Sequence, residues 1–379
     1  MRRNDFFVQS ILPISIALAV GWACKDDKEP ASETADLGTY TTDTAGLTAP
    51  ITMTVPEGAT SVLLGCGPYG FDLLGTAWEI KDPSGSLYYT NEFHDDYAER
   101  RMRVGNHDDY VPILLPVSPE HDITAGKWKA RVWVAAGGEP VDVKCVQVTR
   151  TASVKATTTV NLNIVLIGVD GINADNADGN TGLQTALDRM ESIWSEAGLG
   201  IGEVRYSNFQ GDTDKFAVID DDSSEAGQLY ETVSGTGGVE LTIFFVQEIT
   251  ASGGSVIVGQ AAGPPGAATI DGTSKSGMIV STVDLADDPS YVGLAMAHEG
   301  AHFLGLFHTT EKSGDVHDPI DDSPEGSSSE SNLMYWAPPS AALPTSRTDR
   351  AGCSGAIRSS VRTHPRRMLI GSPSGSRPA

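Results

Sequence analysis

Between residues 50 and 152 apolar and polar side chains alternate in short runs: ITMTV, SVLLGC, TAWEI, SLYYT, YVPILLPV, GKWKARVWVA and VDVKCVQV. A period of two puts every second side chain on one face of a strand, and turn residues such as DPSG and AAGGEP separate the runs. No helical period interrupts them, so this stretch predicts an all-β sandwich. From about residue 157 the pattern mixes. TTTVNLNIVLIGV, IGEVRYSNF, VELTIFFVQEI and GMIVSTVDL read as strands, whereas TGLQTALDRMESIWSEAG is amphipathic at helical spacing. On that helix Leu183, Leu187, Met190 and Trp194 share one face, and Gly198 ends it. The expectation for 157–340 is an α+β domain following the sandwich.

The flanks differ from both. Arg2 and Arg3 precede an apolar run, interrupted by Pro13, that ends at Cys24. That run is too short and broken for a membrane span, and residues 1–24 read as an export signal. The small residue before Cys24 resembles a bacterial lipoprotein cleavage site, which makes Cys24 a candidate for lipidation and membrane anchoring; cleavage nearby and free secretion is the alternative. Residues 25–49 are polar and read as a flexible linker. Residues 341–379 form an atypical basic tail, with seven arginines, no lysine and a single acid, Asp349. A basic binding tail is one expectation and a shifted reading frame the preferred other, and the gene sequence decides between them.

At 379 residues the chain has room for two cores, and 40% hydrophobic with 20% charged residues describes a folded protein. A net charge of −24 argues against nucleic acid as a partner, because little positive field exists to neutralise phosphates. Cys66 and Cys145 lie at opposite ends of the β-rich stretch, a candidate disulfide in an exported protein, with two separate buried thiols as the alternative. The tetrapeptide HDDY occurs at 94–97 and again at 107–110, and reads as solvated loop charge rather than a second metal site. DGINADNADGN, 170–180, fails the spacing of a calcium loop and reads as loop only.

AMAHEGAHFLGLFHTT, residues 295–310, carries the chemistry. Acidic residues, Pro289 and Ser290 mark a helix start before it. On a helix, His298 and His302 project one turn apart from one face and can ligate one ion. Glu299 points about a quarter-turn away, where it can reach a water without being a ligand. Gly305 permits a sharp turn at positive φ that returns His308 towards the same ion. Three histidines with one open position describe a catalytic zinc site. The pattern His298-Glu299-x-x-His302-x-x-Gly305-x-x-His308 fixes five positions, and without a metal three imidazoles on an apolar helix would cost roughly 1–3 kcal/mol each.

This run resembles the zinc-binding signature of the metzincin metallopeptidases. SNLMYW, 331–336, sits where that clan has a methionine turn and makes Met334 the candidate for it, a structural support under the ligands. HTTEKSGDVHDPIDDSPEG, between the two motifs, is similar to the pappalysin branch. The resemblance implies a mixed sheet with an upper helix and a zinc helix as the floor of a substrate cleft. Some metzincins carry a tyrosine two residues past the methionine; here that position is Trp336, so Tyr335 receives no catalytic role. The disulfides common in pappalysin-type domains are absent, since no cysteine lies between 146 and 352. VPEGATSVLL, DPSGSLYYT and TAGKWKARVWV make the preceding segment similar to the bacterial pre-peptidase C-terminal domain, a β-sandwich found on secreted proteases.

The expected activity is zinc-dependent hydrolysis of peptide bonds in protein or peptide substrates, with Glu299 as general base. Asp315, Asp318, Asp321 and Asp322 are candidate calcium ligands against ordinary loop solvation. The competing expectation is a cell-surface binding or adhesion lipoprotein with a catalytically idle metal domain. Cys66 is a further candidate, as a blocking ligand on the metal.

Overall fold

The computed structural model describes residues 32–70, 73–91, 103–104, 107–116, 121–151, 158–236, 240–251, 253–268, 270–318, 326 and 330–337, and the structural statements below concern these residues. The export signal with Cys24, the first HDDY, Asp321, Asp322 and the tail with Cys353 lie outside them. No helix among the described residues is long and apolar enough to cross a membrane.

The first strands are β1 (Ser32–Thr41), β2 (Ile51–Val55), β3 (Ser61–Cys66), β4 (Leu74–Lys81), β5 (Leu87–Thr90), β6 (Arg103–Val104), β7 (His107–Asp108), β8 (Val111–Leu115), β9 (Gly126–Val134) and β10 (Asp142–Arg150). They pair antiparallel in two sheets, ordered β1-β10-β3-β8-β6 and β2-β9-β4-β5, with β7 beside β4. The alternation in the sequence becomes alternation in burial. On β9, Trp128, Ala130, Val132 and Val134 enter the core while Lys127 and Lys129 face solvent. Ile51, Met53, Leu64, Ile80 and Ile113 meet them from the other strands.

β1 corrects the flexible linker expected over 25–49. Its side chains are mostly exposed, but its backbone pairs with β10 from Ser32↔Arg150 to Thr41↔Asp142. An edge strand is held by main-chain hydrogen bonds and can show solvent on both faces, so it carries no apolar signature. Cys66 and Cys145 sit opposite one another on β3 and β10 and are joined by a disulfide, their Cα atoms 4.2 Å apart. That removes Cys66 as a thiol that could block a metal.

The rest of the chain contributes β11 (Thr158–Leu166), β12 (Leu199–Asn208), β13 (Val218–Asp220), β14 (Glu240–Val246), β15 (Glu248–Ala251), β16 (Ser255–Ile257), β17 (Gly259–Ala261) and β18 (Met278–Ser281). Four helices accompany them: α1 (Thr181–Glu196), α2 (Thr213–Phe216), α3 (Glu225–Tyr230) and α4 (Pro289–Phe303). The main sheet runs β12-β11-β14-β18-β17; its first three pairings are parallel and the last antiparallel, so it is mixed. VELTIFFVQEI, expected as one strand, divides at Gln247 between the main sheet and a small sheet of β13, β15 and β16. The Gln247 N–H donates to Ala217 O there, outside either ladder. α1 buries the predicted face, Leu183, Leu187, Met190 and Trp194, against α4 and the sheet.

The second HDDY also departs from expectation. Asp109 is 2% exposed rather than solvated, with φ of +64°. Its carboxylate accepts N–H bonds from Tyr69 at 2.8 Å, Gly70 at 2.9 Å and, across the boundary between the two parts of the chain, Ser274 at 3.3 Å. The Ser274 hydroxyl donates to Asp108 O, and Tyr110 and Val146 pack on Ala267 and Ile270 beside it. The site read as loop charge is a structural joint.

Candidate metal centre

α4 starts where sequence signals coincide. Asp288 accepts the Tyr291 N–H at 3.0 Å as the cap, and Pro289 occupies the first turn, where its missing N–H costs nothing. One face packs on α1, where Gly300 lies against Trp194: a Cβ there would come within 2.5 Å of the indole, whose Nε1–H donates to Ala297 O. The helix ends at Gly305 with φ of +108°. The Gly305 N–H reaches His302 O and the Leu306 N–H reaches Ala301 O, the paired bonds of a Schellman ending. This turn carries residues 306–308 back over the last helical turn.

His298, His302 and His308 thereby converge. Their Nε2 atoms form a triangle with sides of 3.2 Å (298 to 302), 3.0 Å (302 to 308) and 3.4 Å (298 to 308). Two nitrogens each about 2.0–2.1 Å from one tetrahedral ion stand roughly 3.3–3.4 Å apart, so the triangle has the size that a zinc-like ion requires. The other ring nitrogens settle the tautomers. His298 Nδ1 donates to Leu333 O at 2.6 Å, His302 Nδ1 to Leu306 O at 2.7 Å, and His308 Nδ1 meets Glu311 Oε2 at 3.0 Å. Protons at Nδ1 leave three Nε2 lone pairs facing one point, and lone pairs so close call for a cation between them. Burial, with His308 alongside, pushes His298 down to about 4 against the Leu333 hydrogen bond, so its ring is neutral at pH 7. The cluster can hold a metal ion.

Glu299 lies beside the triangle. Its Oε2 accepts the Ala261 N–H from β17 at 2.8 Å, and its Oε1 is 3.9 Å from His298 Nε2. Burial lifts its carboxyl to about 7, with the Ala261 hydrogen bond working the other way. Gly259 leaves room for it, since a Cβ there would stand 2.7 Å from Glu299 Cγ. Residues Val256–Ala261, the histidines, Glu311 and Trp336 line a cleft of about 790 Å³ at this point. β17 is the last strand of its sheet and forms one cleft wall.

The remaining candidates fall as follows. Met334 is 1% exposed in the core that α1 and α4 share, and its carbonyl accepts the Thr309 N–H at 2.7 Å. The neighbouring Leu333 carbonyl is what touches a histidine. Tyr335 pairs with Thr310, and Trp336 lies on the cleft with the Lys312 ammonium 5.6 Å from its ring. Asp315 and Asp318 are described, Asp315 exposed; no metal-binding cluster forms around them among the described residues. Sequence reasoning passed over Ala261, Leu333, Leu306 and Glu311. The two carbonyl partners and Ala261 act through backbone atoms, which leave no mark on side-chain identity. Glu311, three residues past His308, was readable as an acid near a ligand.

No protein-family model matches the chain, and no curated protein does. Among solved structures it is similar to metalloproteinase-II from Bacteroides fragilis, with 14% identity and a TM-score of 0.30. The match covers 55% of this chain and 55% of that one, so the chain spans about half the length of that protein.

Proposed function

We propose that the chain is an exported zinc-dependent endopeptidase of the metzincin type, acting on protein or peptide substrates. The observation that carries this reading is the triangle of imidazole Nε2 atoms with Glu299 beside it on an open cleft. His298, His302 and His308 would hold the ion, which when bound supplies Lewis acidity and acidifies water. Their Nδ1–H bonds keep the three rings oriented before any ion arrives. The Ala261 N–H occupies Oε2 of Glu299, leaving Oε1 to take a proton from water and return it to the departing amine. A carboxyl near 7 suits a group that must both accept and release a proton at neutral pH. β17 offers an edge to which an extended peptide can add as a further strand. Burial of Met334, next to the Leu333 that holds His298, is what a methionine turn would need, and the Cys66–Cys145 disulfide suits an oxidising compartment outside the cytoplasm.

Cleavage of an unstructured protein by the zinc-loaded chain, run beside Glu299→Ala, tests this. The chain should cut and the variant should retain zinc but lose cleavage. Zinc uptake without cleavage by either would overturn the peptidase reading in favour of a binding protein.

A further inference from the structure

Two of the three histidines are set by main-chain carbonyls, and the third is not. His298 and His302 belong to α4, so the helix aims their rings and a buried carbonyl holds each outer nitrogen. His308 follows the helix end and has no such frame; its side chain is 22% exposed. Its outer nitrogen meets Glu311 Oε2 instead. Glu311 is itself presented by a tight turn, with its N–H on Val316 O and its carbonyl accepting the Gly314 N–H. The strand entering that turn is pinned by Thr309 to Met334 and by Thr310 to Tyr335. The carboxylate is therefore delivered to His308 by backbone anchored to the segment that also holds His298.

We propose that Glu311 is a positioning residue for the metal centre, orienting His308 and adding negative charge behind it. A carboxylate differs from a carbonyl in carrying full charge. It draws the Nδ1 proton towards itself, makes Nε2 the better donor, and offsets part of the cation's charge that three neutral rings leave uncompensated. The bland alternative is an exposed pair at i,i+3, which contributes little to anything. The two differ in what they predict for metal affinity.

The inference rests on the three histidines being a metal site, and the experiment separates the two claims. Zinc dissociation constants are measured by chelator competition for the full chain, Glu311→Gln and Glu311→Ala, with visible spectra of the cobalt(II)-loaded forms. Glu311→Ala should bind zinc 10–100-fold more weakly and show altered cobalt bands. Glu311→Gln keeps a carbonyl oxygen for the Nδ1 proton and loses the charge, so it should fall between the two and guard against misfolding of the alanine variant. If both variants bind zinc as tightly as the unmodified chain with unchanged spectra, Glu311 is a surface acid and the inference fails. If the unmodified chain takes up no zinc, the metal-site reading itself fails.

Discussion

Each part of the chain withdraws a carboxylate from solvent, Asp109 fully and Glu299 largely, and the two are treated differently. Asp109, in the sandwich, receives three backbone N–H groups and is not part of the lining of the histidine cleft. Glu299, on α4, receives one, from Ala261, and its other oxygen looks towards the histidines and the cleft. Desolvation is costly for both, and Asp109 has it offset by three donors against one for Glu299. A buried acid held by several N–H groups from distant segments holds structure together. One left partly satisfied, and lifted to about 7, is available for proton transfer.

The contrast breaks most sharply under substitution. Glu299→Gln should reduce the rate of peptide cleavage by roughly 10²–10⁴-fold while cooperative unfolding is retained; a variant with unchanged kcat removes the acid from the chemistry. Asp109→Ala should do the reverse. It leaves the N–H groups of Tyr69, Gly70 and Ser274 without their acceptor, those of Tyr69 and Ser274 buried, at a cost of about 3–5 kcal/mol in denaturant unfolding, with zinc per folded molecule unchanged. Stability within 1 kcal/mol of the parent (roughly the value of one ordinary hydrogen bond) would demote the joint.

Smaller effects sharpen the same point. Gly300→Ala forces a methyl into Trp194 and should cost about 1–3 kcal/mol in thermal or denaturant unfolding; no loss would mean that α1 and α4 can separate freely. The subtlest test is pH dependence in metal-stripped protein. Glu299, raised from 4.5 to about 7, takes up its proton in the folded chain first, so acidification through that window favours folding. His298, lowered from 6.5 to about 4, is protonated first in the unfolded chain, so acidification there disfavours folding. The two oppose each other, and Glu299→Gln removes the favourable one. Its unfolding free energy should therefore fall more steeply between about pH 7 and pH 5 than the parent's. Equal slopes would mean that Glu299 titrates as an ordinary carboxyl.

The legible features were those with a local cause. The sandwich strands announce themselves by period, because one face of β9 is buried and the other wet. α1 does so by its stripe of Leu183, Leu187, Met190 and Trp194. β1 escaped notice because an edge strand is fastened through its backbone. β17 escaped because Gly259, Gln260 and Ala261 carry no apolar rhythm, although that strand supplies both the space for Glu299 and its N–H partner.

The three converging histidines were written in the chain: a helix repeats every 3.6 residues, so His298 and His302 must share a face, and Gly305 can turn the backbone where other residues resist. Which partners orient those side chains was left to the tertiary structure. Leu333 meets His298 across 35 residues and Ala261 meets Glu299 across 38, contacts made when distant segments pack together. Asp109 and Ser274 are 165 residues apart, and no local pattern distinguishes an aspartate that will join two cores from one that will face water. Short-range geometry depends on residue spacing alone; the environment of a buried polar group depends on everything folded around it.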